Sequence, residues 1–434
     1  MNIPLNRLYQ FIENVAEKVH GGRVIIYRFD PHGSKNIQDL NQLHQNTWLE
    51  ITTLPNLWCH DQEPLDHAYY QLNLRKWPDE FGSIVESIRG HSTVHNLNYS
   101  NDTIFAKGLL LHSEQRSKNL DLYQQDGELI PVYYWSHAVI ARDWFRYAEH
   151  VEQRKKVNKT FLIYNRAWSG TREYRLRFAE LLIGLGLQNV CRASINPVEP
   201  ELGIHYELHR FKNPVWRPRT VLENFFPTSR AHSHYSADFD IEDYEATDIE
   251  VVLETLFDDD RLHLTEKSLR PIACGQPFIV AGTQGSLAYL RRYGFKTFGM
   301  IWDERYDECA DPEERLARIA DLMQQIANWG PWLREQKLAE ARAIADYNRQ
   351  RFFSQEFFDL VVGELQANIT TAFNELNTLP ANTQWFDLWS RIVNTPELRE
   401  RFHNKEALNG FNLATAEEAL RLAEKIRPLP DLPV

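Results

Sequence analysis

Short runs of β-branched and aromatic residues, each closed by a polar turn and followed by a stretch of helical period, recur along the chain. That alternation leaves few folds open. Arg23–Phe29 ends at Asp30-Pro31, and Asn56–Cys59 runs into His60-Asp-Gln-Glu-Pro64. Gly108–His112 and Val132–Trp135 follow the same plan, and His137–Ala148 reads as a helix. After the charged linker Glu149–Lys159 the pattern restarts with a strand at Thr160–Tyr164, a turn containing Gly170 and a helix from Arg172 to Leu185. Further strands are expected at Asp248–Leu253, Pro277–Ala281 and Lys296–Phe298. Helices are expected at Thr265–Cys274, Ser286–Tyr293, Pro312–Trp329, Pro331–Phe353 and Gln355–Leu376. Asp311-Pro-Glu-Glu314 reads as a helix start, with a cap, a proline at the first helical position and a glutamate closing a capping box.

Alternation of this kind predicts an α/β protein with parallel sheets covered by helices on both faces. At 434 residues the chain exceeds one hydrophobic core of usual size. Two Rossmann-like domains are expected, over 1–150 and 160–353, with a C-terminal helical tail over 354–434 that packs partly back on the first. No fixed-period repeat is present. Two open α/β domains in tandem place a ligand in the cleft between them, at the carboxyl ends of the strands, so the residues just after each strand matter most.

No apolar run reaches the roughly 18–20 residues that span a bilayer. Met1–His20 carries Arg7, Glu13, Glu17 and Lys18 within its apolar pattern and reads as an amphipathic helix, not a secretory signal. Cys59, Cys191, Cys274 and Cys309 form no Cys-x-x-Cys, which fits a reducing cytoplasm. The net charge of −12 disfavours a protein that coats nucleic acid through a general positive field. The charge is segregated, however. Residues 142–177 hold ten Lys/Arg against four Asp/Glu, and residues 236–260 hold eleven acids and no base. A basic stretch in an acidic chain suggests a local anionic ligand, although a solvated face has the same composition.

The densest cluster of candidate chemistry is Leu264-Thr-Glu-Lys-Ser-Leu-Arg-Pro-Ile-Ala-Cys-Gly-Gln-Pro277, which leads into the strand Phe278–Ala281. Thr265 stands at a helix N-terminus, where unpaired N–H groups attract phosphate. Glu266 can accept from two ribose hydroxyls, and Lys267 can meet a diphosphate as a point charge. Arg172, Arg175 and Arg177 supply guanidinium groups for phosphate oxygens, or equally a basic helix face paired with Glu173 and Glu180.

These segments resemble the donor-binding signature of the α1,3-fucosyltransferases, a family of GT-B glycosyltransferases. That signature has a Glu-Asn-Ser run, a Tyr-Val-Thr-Glu-Lys run, then Gly-x-x-Pro and a strand. Here stand Glu254-Thr255, Leu264-Thr-Glu-Lys267 and Gly275-Gln-Pro277. Upstream, Ile163-Tyr-Asn165, Arg166–Thr171 and Arg172-Glu-Tyr-Arg175 resemble the strand, loop and arginine-bearing helix that open the family's second domain. The resemblance implies that Arg175 or Arg172 clamps the pyrophosphate, Glu266 binds ribose and Lys267 makes a second phosphate contact. Asn165, Arg166, Glu254 and Thr265 complete the donor set. Asn is absent after Glu254, and three consecutive aspartates fill the spacer, so the likeness bears on a nucleotide sugar and not on fucose in particular.

Trp58-Cys-His-Asp-Gln-Glu-Pro64 resembles the family's short Glu-containing motif that carries the base, which makes Glu63 the candidate, then Asp61 or His60. Attack opposite the leaving group gives inversion. A polar turn stopped by Pro64 has the same composition. His112 and Glu114 form a second post-strand cluster suited to an acceptor, or to a helix cap. The block Glu266–Asp307 is also similar to uncharacterised glycosyltransferase-like proteins of tailed bacteriophages, which implies a hydroxymethylated DNA base as acceptor. Trp144, Tyr147 and Trp168, interleaved with the basic stretch, would then meet a flipped base and its backbone. Asp238-Phe-Asp240 has metal-motif spacing without a preceding strand.

The sequence therefore predicts a cytoplasmic GT-B enzyme (in the host cytoplasm if phage-encoded), its two Rossmann-like domains facing across a cleft. It is expected to move a sugar from a nucleoside diphosphate sugar to a hydroxyl, without an obligatory metal or other cofactor. The acceptor is expected to be phage DNA. The alternatives are a fucosyltransferase-like enzyme acting on a surface glycan and a non-catalytic nucleotide-binding module.

Overall fold

A computed structural model describes residues 2–28, 56–59, 108–117, 129–151, 153–193, 195–222, 231 and 237–378. The protein is mixed α/β with parallel sheets, and the chain divides into two compact units. Asn6–Ser136 and Gly363–Val434 belong to one; Met1–Leu5 and His137–Val362 belong to the other. The chain thus passes between units at Ser136–His137, ahead of the charged linker that the sequence suggests as a boundary.

In the first unit α1 (Leu8–His20) buries Leu8, Tyr9, Ile12, Val15 and Ala16, and Gly21 ends it at φ 78°. Four parallel strands follow in sequential order: β1 (Ile25–Arg28), β2 (Asn56–Cys59), β3 (Gly108–His112) and β4 (Leu129–Tyr133). All five residues of Gly-Leu-Leu-Leu-His are buried, as expected for an inner parallel strand covered on both faces. Pro131, which lacks an N–H, sits in β4 at the sheet's edge. The later part of the last described helix returns to this unit. Its Phe373 packs on His20, and Asn368 Nδ2 donates to Tyr133 O at 2.9 Å.

The second unit opens with α2 (Ser136–Trp144), all but its first residue, and a 3-10 turn over Arg146–His150. Its sheet has the order β10-β9-β5-β6, every pair parallel. β5 is Lys159–Ile163, β6 Cys191–Ala193, β9 Thr247–Leu253 and β10 Phe278–Ala281. From β5 the chain steps one way to β6 and then returns to lay β9 on the other side. The β5/β9 border is therefore a topological switch point, the place where open α/β sheets take ligands at the strands' carboxyl ends. Between β6 and β9 lie the hairpin β7 (Val198–Glu199) and β8 (Ile204–His205) and the short α4 (Ile241–Glu245), and α3 (Tyr174–Gly184) follows β5.

Then come α5 (Glu266–Cys274), α6 (Ser286–Arg292), α7 (Pro312–Ala327), α8 (Pro331–Phe353) and α9 (Gln355–Thr378). Gly275 ends α5 at φ 65°, where a Cβ would lie 3.1 Å from Arg349 Cδ. Asp311 caps α7 by accepting from Glu314 N at 2.7 Å, but Glu314 does not look back as in a capping box; its carboxylate takes Arg318. Among the described residues no helix is long and apolar enough to cross a membrane.

One expected strand is absent. Lys296–Phe298 is irregular, and side chains supply its backbone partners. Asn348 accepts from Lys296 N and donates to Lys296 O, both at 2.8 Å, while Glu304 accepts from Phe298 N at 2.6 Å. The segment reads as a strand because Phe298 is fully buried, against Phe278 and Trp302.

Candidate functional site

The segments after β5 and β9 and the start of α5 meet at the switch point of the second sheet. Glu254, the first residue beyond β9, is 0% exposed. Its Oε1 accepts from Thr265 N (3.0 Å), Ser268 N (3.2 Å) and Ser268 Oγ (2.6 Å). Its Oε2 accepts from Thr265 Oγ1 (2.7 Å) and Thr255 N (3.2 Å). A carboxylate thus closes the start of α5, where N–H groups and the helix dipole favour negative charge. Thr265 is the N-cap, accepting from Lys267 N at 3.3 Å. Of the N–H groups that the sequence offers to phosphate at this helix start, those of Thr265, Lys267 and Ser268 are met within the chain.

Arg175 crosses the switch point. Nη1 donates to Asn165 Oδ1 (3.0 Å) and Ala167 O (2.6 Å) beyond β5; Nη2 donates to Leu253 O (2.6 Å) and Glu254 O (3.0 Å) at the end of β9. With 2% exposure and four acceptors, this guanidinium ties two strand ends together and is not turned to solvent. Asn165, Arg175, Glu254 and Thr265, drawn from segments up to a hundred residues apart, form one continuous hydrogen-bonded network.

Glu266 lies beside this network, buried, with Lys267 Nζ at 2.7 Å on one oxygen and His137 Nε2 at 3.1 Å on the other. Burial works to raise its pKa, but the Lys267 charge and the His137 hydrogen bond outweigh it and hold the carboxyl well below the usual range. Lys267, 17% exposed, also reaches Thr265 Oγ1 at 3.2 Å and Thr255 Oγ1 at 3.4 Å. His137 packs edge-on against His263, with Trp144 beyond. Sequence reasoning missed both histidines. His137 follows β4 by four residues, within reach of the post-strand rule, and His263 directly precedes the Leu-Thr-Glu-Lys run that the sequence marks as a helix start.

After β5, Arg166 (42% exposed) and Arg172 (25%) share Glu201, at 2.5 and 3.8 Å. Burial, and then the charge of Arg175, lower the pKa of Arg172, against the pull of Glu201 and Glu199. These two arginines are the more open cations of the predicted donor set. Trp168 is fully buried. Its N–H groups reach Glu199 Oε2 and Asn196 O, and its ring meets His209 and Phe211, which leaves no face for an acceptor. The rest of the basic stretch is divided. Arg142 donates to Phe353 O and Ser354 O, Arg177 pairs with Glu180, and Arg146 stacks on the exposed Tyr147. Asp240 caps α4, accepting from Glu242 N. Among the described residues no group of three or more His, Cys, Asp and Glu side chains is arranged to hold a metal.

In the first unit His112 is the last residue of β3 and Glu114 lies two residues beyond it, both buried. His112 packs against Tyr133, its carbonyl accepts from Tyr134 N, and the intervening Ser113 Oγ accepts from Ser136 N. His60, Asp61 and Glu63 lie outside the described residues. Against known protein families, curated proteins and solved structures the chain shows no match, so the geometry stands alone.

Proposed function

We propose that the protein is a glycosyltransferase that moves a sugar from a nucleoside diphosphate sugar to a hydroxyl acceptor, with its nucleotide held at the β5/β9 switch point. One observation carries this reading: the residues that resemble a donor signature, Asn165, Arg175, Glu254 and Thr265, converge in a single network at the place where open α/β sheets bind nucleotides. Two units, each with a parallel sheet, suit the GT-B plan.

In this reading Arg175 and Glu254 shape the cradle, and Lys267 with Arg172 and Arg166 meets the diphosphate. Glu266, kept ionised by Lys267 and His137, accepts from ribose hydroxyls. The cations stabilise the negative charge that builds on the departing nucleoside diphosphate. Glu63 is the base that deprotonates the acceptor hydroxyl, with inversion at the anomeric carbon. A hydroxymethylated base in DNA is the acceptor, and a surface glycan is the rival.

The test is transfer itself. DNA containing hydroxymethylated bases, and separately a glycan panel, are incubated with the protein and mixed nucleotide sugars, and the products are read by mass spectrometry. Sugar on the base, lost in Glu63→Gln while donor binding persists, is the expected result. Labelled glycan with unmodified DNA transfers the activity to the rival acceptor. Donor binding without transfer to either substrate favours a non-catalytic nucleotide-binding module.

A further inference from the structure

At the opposite end of β5 and β9, where those strands begin, lies a cavity of about 500 Å³ lined by Lys159, Thr160, Asp248, Arg334, Glu335 and Arg342. Its chemistry is lopsided. Asp248 is buried and already bonded: Arg334 Nη2 lies 2.7 Å from one oxygen and Arg342 Nη1 3.8 Å from the other. Arg334 Nη2 also reaches Thr160 Oγ1 at 3.0 Å, and its Nε and Nη1 have no hydrogen-bond partner among the described residues. Arg342 is 42% exposed and makes no hydrogen bond among them beyond that distant pairing. Among the described residues Lys159 Nζ reaches only Asn189 O, at 2.6 Å. Three cations with spare N–H groups therefore share one small cavity with two carboxylates, Asp248, which is already paired, and Glu335.

The start of α8 adds to this. Its N-cap is Gly330, which has no capping side chain, and its first turn, Pro331-Trp332-Leu333, carries no acid. Unlike the start of α5, which Glu254 closes, this helix end, whose Pro331 lines the cavity, has no carboxylate on it among the described residues.

We propose that the cavity binds a phosphate monoester, with Arg334, Arg342 and Lys159 as its cationic contacts. A phosphate monoester brings three terminal oxygens able to accept several charge-assisted hydrogen bonds, which matches two arginine forks and an ammonium better than a single carboxylate does. The uncapped helix start favours the same charge. The site is independent of the switch-point reading, because it uses the other end of the strands and none of the same residues.

Calorimetric titration of the full chain tests it, with inorganic phosphate and with a nucleoside 5′-monophosphate against the unphosphorylated nucleoside. A 5′-phosphorylated oligonucleotide against its unphosphorylated counterpart distinguishes a phosphorylated polymer end from a small molecule. Binding should require the phosphate. Arg342→Ala should weaken it about tenfold, the loss of one charge-assisted contact. Glu335→Gln should tighten it, a gain that a damaged fold would not produce. Failure of the wild-type chain to bind phosphate at millimolar concentration, or equal affinity in the wild type, Arg342→Ala and Glu335→Gln, overturns the proposal and leaves the switch-point reading untouched.

Discussion

Thr265 gives both its backbone N–H and its hydroxyl to the carboxylate of Glu254, at 3.0 and 2.7 Å. The end of β9 is thereby fastened to the start of α5. Glu254 collects five donors in a fully buried position, so shortening it leaves several N–H and O–H groups without water or partner. Glu254→Ala should destabilise the protein by about 3 kcal/mol or more, and Glu254→Gln by about 1–3 kcal/mol, from the usual cost of unmet buried donors. Denaturant unfolding measures both. A change below about 0.5 kcal/mol for the alanine variant, the range of an ordinary surface substitution, would contradict the capping role.

The two arginines near this point should separate by assay. Arg175 serves four acceptors with a planar fork that an ammonium cannot reproduce. Arg175→Lys should therefore cost about 2–4 kcal/mol of stability, through orphaned carbonyls and a misplaced buried charge. Arg172→Ala should leave the unfolding midpoint nearly unchanged and weaken nucleoside diphosphate binding about tenfold. The reverse pattern would make Arg175 the phosphate contact and Arg172 the strut.

Lys155 offers a pH test. Much of the residue is exposed, but its ammonium is turned inward and held by Tyr244 O, Thr247 O and Gln276 Oε1. Burial lowers its pKa from 10.5 to about 8, against the opposing pull of Asp248. Between those two values the unfolded chain binds more protons at this site than the folded chain, so stability from this group rises with pH. Relative to Lys155→Met, the wild-type protein should gain stability from about pH 8 to about pH 10.5. Parallel pH profiles for the two proteins would show that Lys155 does not titrate in that window.

Asn348 should matter more than an ordinary helix residue. Its amide completes both backbone groups of Lys296 from 52 residues away, as a neighbouring strand would. Asn348→Ala should cost about 1–3 kcal/mol. Asn348→Asp, which keeps the acceptor for Lys296 N and loses the donor to Lys296 O, should also destabilise. Calorimetric unfolding decides, and a neutral alanine variant would remove Asn348 from this role.

That pairing also marks where the sequence stops being readable. Strands such as Gly108–His112 and Thr247–Leu253 declare themselves because a parallel strand buried on both faces must be apolar over most of its length. Phe295–Phe298 carries the same apolar signal, yet its partner is a side chain on a distant helix, which no local pattern encodes. Cys191–Ala193 is too short and too mixed to stand out. At the site, a helix-start signal singles out Thr265, and the resemblance to a donor-binding signature singles out Asn165 and Glu254. What Arg175 does there was hidden, because the four acceptors that fix its guanidinium come mostly from backbone carbonyls, and those have no residue type. His137 was hidden for a related reason: its partner Glu266 lies 129 positions further along the chain.

The central claim is that the network joining Asn165, Arg175, Glu254 and Thr265 cradles a nucleoside diphosphate, and direct titration of nucleoside diphosphates into the full chain tests it most directly. We expect one of them to bind, with affinity reduced about tenfold in Lys267→Ala and in Arg172→Ala, the latter at unchanged unfolding temperature, since each removes one charge-assisted contact. Absence of binding by the wild-type chain, or binding indifferent to both substitutions, would contradict the account.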